Sequence, residues 1–420
     1  MHPGGARARP RLGMALYGDL TFDSRVRREA RSLALAGFDV VIACLASEST
    51  SDDLPSNVSV VVQPIARSSA QPGALNPFRA PRRRRVSSLV RGAGWFVGYS
   101  RALRSWGRSA TAACGHVDAW HAHDLTGLVA LAPRLGSGVP IVYDVHDLLL
   151  ESGTALKLPS PARPVLRRYE RHLVSDVAAV VTVNRGLAEV LQRRYRPRRI
   201  EILHNYPDRW TPPLPRPRLI RDAAGIPDGA PIILSHGLLG PGRGIEQLMQ
   251  ALLLPGLEFA HVVLMGFGTA RGEYAAAATR LDLGHRVHVL DAVPPSDLLR
   301  WVASADIGAV LHPGTRLNDH NKTPNKLFEC IAAGTPVIAS DWPLIKDFVV
   351  DDPAGVLGMV CDPSNIEDIA SALRSVLGLD PSAMESLRAR CITAAQSRLN
   401  WQAEVGRLTS LYQELVGGPA

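Results

Sequence analysis

The sequence predicts an α/β protein made of two doubly wound, Rossmann-like domains that face a central cleft. Short apolar, β-branched runs alternate with helical segments along the chain, which is typical of parallel sheets joined by crossover helices. A proline-rich segment, PDRWTPPLPRPR at 207–218, interrupts this alternation near the middle. The length of 420 residues is large for one hydrophobic core and suits two domains of about 200 residues each.

The first half contains continuous apolar runs of the kind found in strands covered on both faces. The predicted strands are 12–18, 39–46, 58–65, 117–123, 140–146, 178–183 and 199–204. The predicted helices are 23–37, 87–113, 125–135, 163–175 and 185–195. We therefore assign 1–206 to an N-terminal domain.

After the linker at 207–218, whose prolines favour an extended spacer, the alternation restarts. The predicted strands are 231–236, 261–266, 286–291, 306–311, 335–340 and 358–361. The predicted helices are 244–254, 270–283, 295–304, 324–333, 364–378, 382–396 and 400–416. This pattern predicts a C-terminal domain at 219–396. The segment 397–420 is predicted to form a C-terminal helix, which in one alternative crosses back to the N-terminal domain.

Composition places the chain among reduced, globular proteins. The five cysteines are scattered, odd in number and never in a CxxC pair, which argues against a disulfide framework or a zinc site. Because no stretch reaches about 18 apolar residues, we expect no membrane span. The expected location is cytoplasmic.

Charge is divided unevenly between the halves. Residues 1–206 carry 29 Lys and Arg against 16 Asp and Glu, whereas 207–420 carry 18 against 23. The stretch Leu54–Val117 has no acidic residue and includes the run Arg82–Arg85. This asymmetry predicts an anionic partner. Two interpretations of the arginines stay open: a peripheral contact with an anionic inner membrane face, and a solvated loop. Nucleic acid is not an expected partner, because no aromatic-interleaved recognition motif accompanies the arginines.

The most informative motif is TPNKLFECIAAGTPVIASD, from Thr323 to Asp341. It predicts a loop, a helix that begins at Pro324–Asn325, a glycine stop at Gly334 and a buried strand. Free backbone amides at such a helix start, including that of Asn325, can hold an anion. Glu329 would lie about one turn into the helix.

This segment resembles the donor-site signature of the large retaining GT-B class of glycosyltransferases, glycosyl transferases group 1 or family four. The resemblance implies that Glu329 binds the ribose of a nucleotide-sugar donor. The class pattern places another Glu at position 321, where it touches the donor sugar, but this chain has Asn321 there. Asn321 could still bind sugar hydroxyls, and Asp319 is an alternative.

A second similar segment is SHGLLGPGRGIEQLMQAL at 235–252, a strand followed by a glycine-rich loop and a helix. Gly237 and Gly242 would let the backbone approach phosphates. By resemblance Arg243 takes the place of the cation that clamps the diphosphate. The other family cation has no counterpart, so Lys326 or Lys322 is expected to share the phosphate charge.

Two further segments are similar to central strands of the family's C-terminal domain. They contain VVLMGFG, with Gly266, and LDAVPP, with Val293. The resemblance implies backbone contacts to the base near Val293. For Gly266 a donor contact and a simple turn glycine are both open.

In the first half, AWHAHDLTG and VYDVHD end predicted strands with polar residues, where open α/β sheets build their sites. His146 matches the family histidine that faces the anomeric carbon. His121, His123 and Asp124 match a segment that is commonly structural. A metal site is not expected, because we place His121 and His123 on alternate faces of a strand and find no further ligand cluster.

The first loop, YGDLTFDSRVRREA, resembles the family's N-terminal glycine loop but lacks its paired glycines. Asp19, Asp23 and Arg25 stand where the donor phosphate and acceptor are usually approached. The loop has no histidine to act as the general base of an inverting enzyme, which favours retention.

Together these resemblances imply a metal-independent transferase for which the nucleotide-sugar is a substrate and no cofactor is needed. Catalytic roles fall to His146, Arg243 and Lys326. A sugar-nucleotide epimerase of the same fold and a non-catalytic sugar-nucleotide binding protein are the alternatives. The acceptor class stays open between a lipid-linked molecule, a glycan and a small natural product.

Overall fold

The computed structural model describes residues 9–47, 54–65, 88–151, 162–314 and 317–417. It divides into two compact units. The N-terminal unit comprises Met1–His204 together with Glu404–Ala420, and the C-terminal unit comprises Asn205–Ala403.

The N-terminal unit has a seven-stranded parallel sheet of order β3-β2-β1-β4-β5-β6-β7. Its strands are β1 (Arg11–Asp19), β2 (Asp39–Ala46), β3 (Val58–Val62), β4 (Ala119–His123), β5 (Ile141–Val145), β6 (Ala179–Thr182) and β7 (Ile200–Ile202). The strand order reverses between β1 and β4. Their carboxyl ends, at Asp19 and His123, therefore stand at the switch point where doubly wound sheets bind ligands.

The helices of this unit are α1 (Ser24–Leu35), α2 (Ser88–Cys114), α3 (Asp124–Leu131), α4 (Ala162–Val174) and α5 (Arg185–Tyr195). Short 3-10 turns occupy Leu20–Phe22, Ala132–Arg134 and Leu149–Glu151. The chain's last helix, α15 (Trp401–Val416), belongs to the N-terminal unit from Glu404 onward. Tyr412 of this helix is fully buried.

The C-terminal unit has a six-stranded parallel sheet of order β10-β9-β8-β11-β12-β13. Its strands are β8 (Ile232–Leu238), β9 (His261–Phe267), β10 (Val287–Asp291), β11 (Ile307–Val310), β12 (Val337–Ser340) and β13 (Gly358–Cys361). Its helices are α6 (Leu219–Ala224), α7 (Ile245–Ala251), α8 (Arg271–Arg280), α9 (Leu298–Val302), α10 (Leu317–His320), α11 (Asn325–Ala332), α12 (Pro343–Val349), α13 (Ile366–Leu377) and α14 (Pro381–Ser397). The order reverses between β8 and β11, the strands that precede the glycine-rich loop and the Thr323–Asp341 motif.

The predicted α/β class, the strands and the longer helices are confirmed. Helices α6, α10 and α12, which are four to seven residues long, were not predicted. All five cysteines are buried and unpaired, as expected of a chain without disulfides. Within the described residues, no helix combines the length and apolar character that a membrane span requires.

Candidate functional site

In the C-terminal unit, a histidine and a glutamate meet beside the sheet's switch point. His236, the fifth residue of β8, has its Nε2 2.8 Å from Oε2 of Glu329 on α11. Because an ionised carboxylate only accepts hydrogen bonds, the imidazole is the donor. The His236 side chain is 2% exposed and that of Glu329 is 22% exposed, so only Glu329 can reach a ligand. The sequence motif identified Glu329 but not its partner.

Two cations accompany this pair. Nη1 of Arg243, in the loop after β8, donates to Nε2 of His312 at 3.0 Å. Burial, together with the charges of Lys326 and Arg243, holds the pKa of His312 well below its usual range, so its ring stays neutral and can accept. Burial and the nearby Arg243 lower the pKa of Lys326 to about 8. In the part of the chain that the structure describes, neither Arg243 nor Lys326 forms an ion pair with a carboxylate.

Asn321 lies just past α10, and its side-chain amide donates to the carbonyl of Leu317 at 2.7 Å. Its neighbour Asp319 is paired with Lys322, with 3.0 Å between Oδ1 and Nζ. Lys322 is therefore the weaker of the two predicted phosphate-binding lysines. Asn325 begins α11, and its side-chain oxygen accepts from Asn205 at 3.0 Å. The start of α11 has no side-chain cap.

Two different geometric constraints explain why glycine stands at the predicted glycine positions. Gly237 and Gly242 have φ of 95° and 75°, in the left-handed region that favours glycine. Gly266 pairs with Gly237 across β8 and β9, and a Cβ there would lie 1.8 Å from the Gly237 carbonyl oxygen. Close strand packing thus explains Gly266 without a ligand. Val293 follows β10 in a loop, half-buried against the core.

In the N-terminal unit, His146 lies just past β5 between two carboxylates. Its Nε2 is 2.7 Å from Oδ2 of Asp144, and its Nδ1 is 3.6 Å from Oδ2 of Asp124. Burial alone would lower the pKa of His146, but Asp124 and Asp144 outweigh it and raise the pKa to about 10. The ring is 21% exposed, so the structure presents a charged imidazolium at a strand end.

Arg25 does not lie in the first loop as an acceptor contact. It is the second residue of α1, 3% exposed, and its guanidinium donates twice to Asp144 at 2.9 Å and once to the Leu203 carbonyl at 2.9 Å. Nε also lies 3.0 Å from Glu29. Since its donors are engaged within the unit, Arg25 balances buried charge, and the predicted acceptor role is replaced by a structural one.

The other two loop residues cap local structure. Oδ1 of Asp19 accepts from the Thr21 amide at 2.9 Å, and Oδ1 of Asp23 accepts from the Val26 amide at 3.0 Å. Asp23 thereby satisfies one of the free amides at the start of α1. Both side chains keep a second oxygen, so ligand binding by either one stays a prediction.

The placement of His121 and His123 on alternate faces was wrong. Residues two apart on a strand share a face, and the two rings stack with centroids 4.4 Å apart. Donor atoms of Glu29, His121, His123 and Asp144 all lie within 4.8 Å of one another, a cluster that could hold a metal. The Arg25 guanidinium already pairs with both carboxylates, which offsets part of their charge without a metal. The predicted absence of a metal site stays a prediction.

Much of the Arg-rich segment that is predicted to bind an anionic partner lies outside the residues that the structure describes. Arg67, Arg79 and the run Arg82–Arg85 fall outside the described residues. The helix predicted at 87–113 is present as α2. The predicted membrane contact is therefore not tested.

Comparison with known families gives matches to both halves of the chain. Residues 23–208 match the model described as Glycosyltransferase Family 4, and residues 218–398 match Glycosyl transferases group 1. A D-inositol 3-phosphate glycosyltransferase of Xylanimonas cellulosilytica is 29% identical over 71% of this chain and 72% of its own length. A glycogen synthase of Mycobacterium tuberculosis is 27% identical over 70% of this chain and 68% of its own length.

Solved structures of similar fold share the GT-B architecture. Sucrose-phosphate synthase from Thermosynechococcus elongatus has a TM-score of 0.70 at 17% identity, covering 97% of this chain and 99% of that chain. HepE of Anabaena, in complex with UDP and glucose, has a TM-score of 0.67 at 16% identity, covering 96% and 99%. The two parallel sheets and the two family matches agree with this architecture. The chain belongs to the glycosyl transferases group 1 family and is a glycosyltransferase of the GT-B fold.

Proposed function

We propose that this glycosyltransferase takes its sugar from a nucleotide-sugar whose diphosphate is held by Arg243 and Lys326. The observation that carries the proposal is that these two cations lie close together without a carboxylate partner among the described residues. Neighbouring cations repel each other, and after burial, which is the larger cause, the charge of Arg243 further lowers the pKa of Lys326. A diphosphate relieves that repulsion and is the anion this reaction must bind.

Glu329 takes the ribose in this proposal. Its carboxylate is partly exposed on α11, the helix that also carries Lys326, so one ligand can contact both. The sugar hydroxyls of the donor would meet Asn321 or Asp319. The nucleobase would contact the backbone near Val293.

The proposed reaction breaks the bond between the donor's anomeric carbon and the diphosphate oxygen. The new bond joins that carbon to an acceptor hydroxyl on the same face, and the departing phosphate oxygen takes the hydroxyl proton, which gives retention. Arg243 and Lys326 stabilise the negative charge that develops on the leaving group. The imidazolium of His146 is assigned to the reacting sugar. The two cations supply the charge stabilisation, so no divalent ion is required.

The test is acceptor-dependent nucleotide release from a panel of UDP- and GDP-sugars. UDP-glucose heads the panel because HepE, a structure of the same fold, has been solved with it. The acceptors cover inositol 3-phosphate, which the names of several relatives suggest, a glycan and a lipid-linked sugar. Release that requires an acceptor, with the product's anomeric configuration matching the donor's, supports the proposal. Conversion of the donor to an epimer, or binding without release under every combination, would contradict it.

We also propose a peripheral contact with anionic lipid through Arg82–Arg85. Each basic residue near an anionic surface adds roughly 1 kcal/mol to binding. Co-sedimentation with vesicles should require anionic lipid, weaken with salt as charges are screened, and drop when all four arginines become Ser. Equal recovery with neutral and anionic vesicles would favour a soluble acceptor and a solvated loop.

A further inference from the structure

His236 is a polar side chain that neither the resemblance nor the proposed chemistry uses. It lies in β8, directly before Gly237, and its side chain is 2% exposed. Its Nε2 donates to Glu329, and its buried Nδ1 has no hydrogen-bond partner among the residues that the structure describes. Within these residues, the Glu329 carboxylate is therefore the hydrogen-bond partner of the ring.

Glu329 needs such a contact to hold one orientation. A partly exposed glutamate has three rotatable side-chain bonds, and each binding event must fix them. A strand in the middle of a sheet is a rigid support, and β8 is paired with both β9 and β11. The His236 donor fixes Oε2 from this support and leaves Oε1 to accept from a ligand.

We propose that His236 is a positioning residue that holds the Glu329 carboxylate in its ligand-binding orientation. The inference rests on the proposed function, because it assigns nucleotide binding to Glu329. The burial of the ring separates it from ligand, so its effect must pass through Glu329. His312 offers a parallel, because its neutral ring accepts a hydrogen bond from Arg243.

A double-mutant cycle on UDP affinity tests this in the full-length protein. His236→Met keeps an apolar side chain of similar size but removes the donor, whereas His236→Gln retains a donor at comparable reach. Each is made alone and combined with Glu329→Ala. The matched control is His261→Ala, which removes a buried imidazole from the neighbouring strand β9. Calorimetry gives the affinity, and a thermal melt shows that each variant is folded.

We expect His236→Met to weaken UDP binding by about tenfold, the size of one charge-assisted hydrogen bond. His236→Gln should recover most of that loss, and His261→Ala should leave affinity unchanged. In the Glu329→Ala background, His236→Met should not change the UDP affinity further, because the carboxylate that His236 positions is absent. With saturating acceptor, the KM for the donor should rise more than kcat falls.

Additive losses in the double mutant, or an unchanged affinity in folded His236→Met, would overturn the positioning role while leaving the proposed function intact. A wild-type protein that binds neither UDP nor GDP would instead overturn the proposed function and this inference with it. If His236→Met does not fold, His236→Asn replaces it, because its shorter amide cannot reach the carboxylate.

Discussion

Replacing Glu329 with Ala removes the carboxylate that we assign to the donor ribose. Oε2 already accepts from His236 at 2.8 Å, so Oε1 is the atom with free acceptor capacity toward a ligand. If the ribose bonds to Oε1 alone, the substitution removes one charge-assisted hydrogen bond. The binding free energy then weakens by about 1.5 kcal/mol, or roughly tenfold in affinity. If a second ribose hydroxyl also bonds Oε2, the loss approaches about 3 kcal/mol, or roughly 150-fold.

The assay is titration calorimetry of UDP and of its 2′,3′-dideoxy analogue against wild type and Glu329→Ala. The substitution should weaken the binding of UDP. It should leave the affinity for the analogue, which lacks the ribose hydroxyls, nearly unchanged. Glu273→Ala, an exposed glutamate in the first turn of α8, is the matched control. Because the mutant leaves a buried His236 donor without its acceptor, a stability loss of about 1–3 kcal/mol is expected, and a thermal melt must confirm folding. Unchanged UDP affinity in the folded mutant would refute the ribose assignment.

Three further predictions follow from the geometry. Burial and Arg243 lower the pKa of Lys326 to about 8, so the affinity for UDP should fall as the pH rises above that value and the ammonium loses its charge. The UDP affinity of Lys326→Arg should not change up to about pH 9.5, because arginine keeps its charge there. Identical calorimetric pH profiles for the two proteins would show that Lys326 does not bind the phosphate. Arg25→Met removes the guanidinium that pairs with the buried carboxylates of Asp144 and Glu29, and it should lower the free energy of unfolding by about 3–5 kcal/mol in a denaturant titration. A loss below about 1 kcal/mol would contradict the structural role of Arg25. Transfer activity should persist in EDTA, and activity that disappears there and returns with Mg²⁺ or Mn²⁺ would overturn metal independence.

The sequence predicted the fold well because its signals are local. Most strands are predominantly apolar, and the longer helices carry enough turns for their period to show. The residues that we propose for donor binding, Arg243, Lys326 and Glu329, were identified through motifs in which the contributing positions lie close together in the chain.

Pairings across long sequence separations could not be predicted. Glu329 meets its partner His236 from 93 positions away, and Arg25 meets Asp144 from 119 positions away. Arg25 was assigned to a ligand because the first loop resembles the family's N-terminal glycine loop, and only the folded unit shows the carboxylates with which Arg25 pairs. The error at His121 was different in kind, since the two-residue period of a strand already places it on the same face as His123.

The last helix has a consequence for how the protein is made. Tyr412 lies in the core of the N-terminal unit, where its hydroxyl is 2.7 Å from Nδ1 of His121 and its ring contacts Phe38. The residues that close this core are therefore synthesised after the whole C-terminal unit, although the sheet that they cover is synthesised before it. The N-terminal unit must wait in an incomplete state while the whole C-terminal unit, Asn205–Ala403, emerges as one uninterrupted segment. Domains generally fold as units during synthesis, so in this chain the C-terminal unit can complete its fold before the N-terminal one.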